Sequence, residues 1–65
     1  MSMKEIATIR FEDADTGDPG VAVIRTAARV VGLALSLESN GDIEVFLKAA
    51  DCERVIAALQ QALGK

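Results

Sequence analysis

Residues 29–48 read RVVGLALSLESNGDIEVFLK, and this pattern predicts a β-hairpin. Leu33, Leu35 and Leu37 alternate with small or polar residues, as in a strand that buries one side. An Asn-Gly pair at 40–41 is a common hairpin-turn signal. A second alternating apolar series follows it, at Ile43, Val45 and Leu47. The hairpin therefore determines which side of a small sheet is apolar and which is left outside.

The length of the turn decides whether the two apolar series share a face. A two-residue turn at Asn40 and Gly41 would place Leu37 opposite Glu44, and a shift of one residue turns every side chain to the other face. A three-residue turn over 39–41, with Gly41 left-handed in a bulge, brings all the large aliphatic residues together. This register predicts the cross-strand pairs Glu38–Asp42, Leu37–Ile43, Leu35–Val45 and Leu33–Leu47.

Three further segments complete the predicted fold. Residues 4–12 alternate as a half-buried strand, apart from Ile6 on the polar side. Residues 13–20 form an acidic loop that is rich in turn-forming residues. Residues 49–63 are predicted to be a helix, because apolar side chains recur on one face at Cys52, Val55, Ile56, Leu59 and Leu63.

The segment from Val21 to Val31 fits two structures. Six β-branched residues among eleven favour two strands with a turn around 26–29, so that Ile24 pairs with Val31 and Ala22 with Leu33. A helix would have Asp18 as its N-cap, Pro19 in its first turn and Gly32 beyond its end. We expect strands, and hence one α+β domain over residues 1–65. This domain has two layers, a four-stranded antiparallel meander with one C-terminal helix on one face (ββββα); the alternative is βαββα.

The predicted register leaves an apolar surface on the side of the sheet away from the helix. Single exposed valines are normal, but antiparallel sheets facing water usually have a polar outer side. A contiguous apolar patch is typical of an interaction site. We therefore expect a homodimer that packs through this outer face, with edge-to-edge strand pairing as the second geometry. The predicted interface residues are Val21, Val23, Val30, Gly32, Ala34 and Phe46.

Composition limits the classes of function. The 65 residues include one cysteine and no histidine, so neither an internal disulfide nor a structural zinc site is available and a cytoplasmic location is expected. No apolar run is long enough for a membrane span, and no signal peptide is expected. The seven basic residues are scattered and the net charge is −3, which argues against nucleic acid as a partner.

Candidate chemistry is sparse. Asp13, Asp15 and Asp18 are weak candidates for a metal site, but their spacing does not match a calcium-binding loop and a solvated turn explains them. Cys52 lies within the apolar stripe of the helix without a histidine base, so an inert thiol is expected. A Glu38–Asp42 pair would lie at an exposed turn with no cleft. We therefore predict no catalytic residue, no cofactor and no enzyme activity.

Three functions of different class remain. The first is a small non-catalytic interaction or accessory protein that forms a homodimer. The second is an antitoxin- or immunity-type subunit whose acidic loop and helix face bind a basic protein. The third is an ion- or ligand-binding module that uses the acidic loop, residues 13–18.

Overall fold

The computed structural model describes residues 3–64 and consists of one sheet and one helix. The strands are β1 (Lys4–Glu12), β2 (Pro19–Ala27), β3 (Val30–Leu37) and β4 (Gly41–Lys48), followed by helix α1 (Ala49–Ala62). The sheet order is β1-β2-β3-β4, and every neighbouring pair is antiparallel. The predicted ββββα meander is confirmed. Residues 19–31 are strands rather than a helix, as their β-branched side chains indicated.

The β3–β4 register is two residues away from the predicted one. Leu35 pairs with Ile43 and Leu33 with Val45, and the turn occupies residues 38–40 instead of 39–41. The Glu38 amide donates to the Pro19 carbonyl at 3.0 Å, which holds Glu38 at the end of β2 and away from Asp42. Gly41 has a φ of 79°, so its predicted left-handed conformation is confirmed.

The β2–β3 register differs from the prediction by two residues as well. Ile24 pairs with Leu33 rather than Val31, because the turn is shorter and contains only residues 28 and 29 between the paired Ala27 and Val30. Arg29 takes a φ of 69°, an uncommon conformation for a residue with a side chain, and this makes the tight turn possible. Both shifts are even, so the residues of β2, β3 and β4 keep their predicted faces.

A β-bulge in β1 accounts for the apolar residue that interrupts its alternation. The pairing with β2 shifts between Glu5 and Ala7, which leaves Ile6 as the extra residue. Thr8 donates a hydrogen bond from its hydroxyl to Glu5 Oε2 at 2.8 Å, across the bulge. Beyond it, Ile9 pairs with Ala22 and Phe11 with Gly20, so the alternation of β1 matches that of β2.

Helix α1 covers less of the sheet than the sequence suggested. The helix begins at Ala49 directly after the last residue of β4, and within residues 3–64 it contacts β3 and β4 but neither β1 nor β2. No connecting residues are available to bring it back across the four strands. As a result, no hydrophobic side chain in the described part of the chain is buried, and the fold has two apolar surfaces instead of one closed core.

Candidate interaction surfaces

The first apolar surface is the inner face of the sheet, formed by the side chains that the observed registers align with Leu33 and Leu35. Ile43 is 61% exposed and Leu35 is 42% exposed, although both have the pattern of core residues. Its charged position is Lys4, which pairs with Thr26 on the edge strand β1, and the other positions are uncharged. The members of this face are Lys4, Ala7, Ile9, Phe11, Gly20, Ala22, Ile24, Thr26, Val31, Leu33, Leu35, Leu37, Gly41, Ile43, Val45 and Leu47.

A shallow groove lies at one end of the inner face. It has a volume of about 450 Å³ and is lined by apolar side chains that include Phe11, Leu35, Leu37 and Ile43. Asp42 is among the polar residues that also line it. The groove is open to solvent and most of its lining is apolar, so it suits an apolar side chain from another structural element better than a polar substrate.

The second apolar surface is the stripe along α1, formed by Cys52, Val55, Ile56, Leu59 and Leu63. Its exposure increases along the helix, from the half-buried Cys52 to Leu63, which is 72% exposed. The other side of the helix is polar, and Arg54 there lies 3.6 Å from Asp51 one turn earlier. An amphipathic helix in a globular protein normally packs its apolar stripe on a partner element, and this stripe has almost none within the described chain.

The total accessible surface measures how incomplete the packing is. A folded monomer of 6.8 kDa is expected to have about 3,950 Å² of accessible surface, whereas this chain has 5241 Å². The excess of about 1,300 Å² per chain exceeds the ~800 Å² that each partner contributes to an interface of standard size. The chain therefore exposes more surface than expected for its mass, by more than the area that one side of a standard interface covers.

The outer face, where the sequence predicted the interface, has a different character. Arg25 and Glu44 form an ion pair at 2.7 Å across β3, over the region of Gly32 and Ala34. Among the predicted interface residues, Val21, Val23, Val30 and Ala34 are half-buried, and Gly32 is buried. A Cβ atom at Gly32 would lie 3.3 Å from the Phe46 ring and 3.3 Å from the end of Met3. Gly32 is thus already covered by side chains of the same chain.

Phe46 is the exposed member of the predicted interface, at 57%. It lies on β4, three residues from Ile43 and on the opposite face. The outer face therefore offers one large exposed aromatic beside a charged pair, while the inner face offers several exposed aliphatic residues with a charge only at its β1 edge, at Lys4. Since apolar area supplies most of the free energy of protein association, the exposed area favours the inner face as an interface.

The acidic loop is held together by its own side chains. Asp13 Oδ1 accepts a hydrogen bond from the Asp15 amide at 2.9 Å. Asp18 Oδ2 accepts two from Ser39, from the hydroxyl at 2.7 Å and from the amide at 3.1 Å. These bonds connect the β1–β2 loop to the β3–β4 turn. Within residues 3–64 no group of three or more side chains is arranged to hold a metal ion, so the three aspartates are not brought together as a metal site.

Asp18 is the residue whose role the sequence did not reveal. As a turn former it predicted only a solvated loop, whereas its carboxylate fixes the separation of two neighbouring turns. The contact joins residues 21 positions apart, and no local pattern predicts it.

The candidates for catalysis are not assembled into a site. Glu38 lies in the turn, and Asp42 pairs with Ser36, so the predicted Glu38–Asp42 pair does not form. Cys52 is free and half-buried at the start of the stripe.

No helix in the part of the chain that the structure describes has the length and hydrophobicity needed to cross a membrane. Comparison with family models, curated proteins and solved structures finds no match to this chain. The function proposed below is therefore based on the surfaces of the chain itself.

Proposed function

We propose that this chain is a non-catalytic interaction protein whose working form is a homodimer, placed in the cytoplasm where a free thiol such as Cys52 stays reduced. The observation that carries the proposal is the unburied core. Two surfaces with core-like patterns, the inner face and the stripe, belong to the same small chain and are both open to solvent.

The energetics of a small chain support this proposal. An unfolded chain of this mass has about 9,900 Å² of accessible surface, so folding alone buries about 47% of it instead of the ~60% typical of 60-residue domains. Scaffolds of this size usually add a disulfide, a metal or a second subunit. Because this sequence has one cysteine and no histidine, a second subunit is the remaining way to stabilise it.

The proposal changes the face through which the chains meet. The outer-face interface built from Val21, Val23, Val30, Gly32, Ala34 and Phe46 remains a prediction to be tested. We favour the inner face because its large exposed side chains are apolar apart from Lys4 on the edge strand, whereas an interface on the outer face would cover the Arg25–Glu44 ion pair. Removing an ion pair from water costs free energy that its mutual attraction often does not repay.

Light scattering coupled to size-exclusion chromatography tests the homodimer. We expect a mass of twice 6.8 kDa at micromolar concentration. A single-chain mass that persists as the concentration is raised would refute it.

Affinity capture from native lysate then distinguishes the second class of function: a basic protein recovered in stoichiometric amount with a single copy of this chain would favour the antitoxin- or immunity-type role. Isothermal titration with calcium tests the ion-binding role of loop 13–18.

A further inference from the structure

The inner face and the stripe complement each other but do not meet within one chain. The helix follows β4 without a connecting residue and leaves β1 and β2 without contact from α1 in the described residues. Leu59 and Leu63, at the far end of the stripe, are 60% and 72% exposed. Within the described residues, the helix therefore does not cover the inner face over β1 and β2, and the far end of the stripe has no sheet surface to pack against.

The dimensions of the two surfaces match. Fourteen helical residues at 1.5 Å per residue give a length of about 21 Å. Four strands spaced at about 4.8 Å span about 14 Å between the axes of the edge strands, and somewhat more with their side chains. One α1 helix is thus long enough to cross all four strands of one sheet.

The chemistry of the two surfaces matches as well. Both consist mostly of aliphatic positions, the charged Lys4 lies only at the β1 edge of the inner face, and the Asp51–Arg54 pair of α1 lies outside the stripe. The groove of about 450 Å³ beside Leu35 and Ile43 is open to the face where a helix would lie. A leucine from the second half of α1 is a suitable side chain to fill it.

From this complementarity we infer that two copies exchange their helices, so that α1 of each chain lies across the inner face of its partner's sheet. The inference rests on the homodimer proposed above and specifies its geometry. A two-fold axis makes the contact reciprocal, and each copy both gives a helix and receives one. Covering both surfaces on both chains removes about 2,600 Å² in total if it accounts for the whole excess, which lies in the range of obligate homodimers.

Another arrangement of two copies leaves one of the surfaces open. If the inner faces packed directly on each other, the stripes of both helices would stay exposed, including Leu59 and Leu63. If the outer faces packed together, neither the stripe nor the inner face would be covered. Helix exchange is the arrangement in which one contact, used twice, covers both surfaces.

The direct test uses the unmodified sequence and isotope-filtered NMR. Equal amounts of ¹³C-labelled and unlabelled full-length chain are unfolded, mixed and refolded, and nuclear Overhauser effects are recorded only between labelled and unlabelled copies. Helix exchange predicts contacts between chains from the Leu59 and Leu63 methyl groups to those of Leu35 and Ile43. Contacts between chains that join two inner faces, or that involve Phe46 and Val23, would overturn the exchange while leaving the homodimer intact. A single-chain mass of the same sample would overturn both.

Complementation between two variants provides an independent test. Ile43→Lys places a charge on the inner face and Leu59→Glu places the opposite charge on the stripe, and each variant alone is expected to lose its dimer. In an exchanged heterodimer one helix–sheet contact is wild type, and the other brings the two substituted side chains, which carry opposite charges, against each other. We expect the equimolar mixture to regain the mass of a dimer. A mixture that stays monomeric, although both variants retain native-like strand signals by circular dichroism, would contradict the exchange.

Discussion

Ile43 and Phe46 offer a matched test of which sheet face forms the interface. They lie on the same strand, are exposed by 61% and 57%, and point to opposite faces. Replacing each in turn with glutamate makes the same chemical change at two similarly exposed apolar positions. We expect Ile43→Glu to dissociate the dimer and Phe46→Glu to leave its dissociation constant within a few fold of wild type.

The magnitude follows from the exposed fraction of Ile43. Complete burial of an isoleucine side chain contributes about 1.5–3 kcal/mol, so burying its remaining 61% in a dimer contributes about 1–2 kcal/mol. A two-fold symmetric dimer buries two copies of this side chain, so the free-energy contribution is about 2–4 kcal/mol per dimer. At about 1.4 kcal/mol per factor of ten, the dissociation constant should rise by about one and a half to three orders of magnitude. A buried carboxylate adds a desolvation cost to this loss.

Sedimentation equilibrium over a wide range of concentrations measures both dissociation constants. A substitution at a position that stays exposed should change stability by no more than about 0.5 kcal/mol. If Ile43→Glu dimerises as tightly as wild type, the inner face is not the interface and the reasoning from exposed area fails. If Phe46→Glu is the monomeric variant instead, the outer-face prediction is the correct one. Phe46→Glu also removes the ring that lies above Gly32. Urea unfolding of both variants measures the resulting loss of stability separately from the change in the dissociation constant.

Three further predictions concern stability. Because unfolding of a dimer is coupled to dissociation, the melting temperature should rise by about 5 °C for each tenfold increase in protein concentration, measured by calorimetry; a constant value would indicate a monomer. Ser39→Ala should destabilise the chain by about 1 kcal/mol and Asp18→Ala by at least as much, because Ser39→Ala removes only the hydroxyl bond whereas Asp18→Ala also removes the bond from the Ser39 amide; the double variant should lose less than the sum, since both changes remove the hydroxyl bond. Additive losses in urea unfolding would mean that the loop connection is not formed in solution. Gly41→Ala should cost about 1 kcal/mol because φ is 79°, whereas Gly41→Asn should cost less; equal costs would contradict a left-handed turn.

The faces of β2, β3 and β4 were predictable from the sequence, whereas their registers were not. Alternation of apolar residues shows only which face of the sheet each side chain occupies. A register shift of two residues leaves every side chain on the same face, so the sequence cannot distinguish the two registers. Both hairpins differ from the predicted register by such an even shift. The turns determine the two registers. Arg29 adopts a positive φ in the β2–β3 turn, and the Glu38 amide donates a hydrogen bond to the Pro19 carbonyl beside the β3–β4 turn.

The Arg25–Glu44 ion pair is a contact that the predicted registers do not allow. In the predicted register Arg25 faces Val30 and Glu44 faces Ser36, six residues apart along β3, which is about 20 Å at 3.3 Å per residue. In the structure they face Gly32 and Ala34, only two residues apart, and the side chains meet at 2.7 Å. The predicted apolar centre of the outer face therefore carries a charged pair that the sequence pattern did not predict.

The edges of the sheet bear on the remaining geometry, in which two copies pair strand to strand. β1 is an edge strand, and it carries the bulge at Ile6 together with charged side chains at Lys4, Glu5, Arg10 and Glu12. Bulges and charges on an edge are features that hinder the addition of a further strand. β4, the other edge, carries Asp42, Glu44 and Lys48 and runs directly into α1.

Edge pairing would also leave most of the exposed apolar area unchanged, because it joins backbones and covers neither the inner face nor the stripe. Leu35 and Ile43 on the inner face and Leu59 and Leu63 on the stripe are among the exposed apolar side chains, and pairing of strand edges leaves them uncovered. Among the four arrangements of two copies, helix exchange is thus the one that covers both the inner face and the stripe.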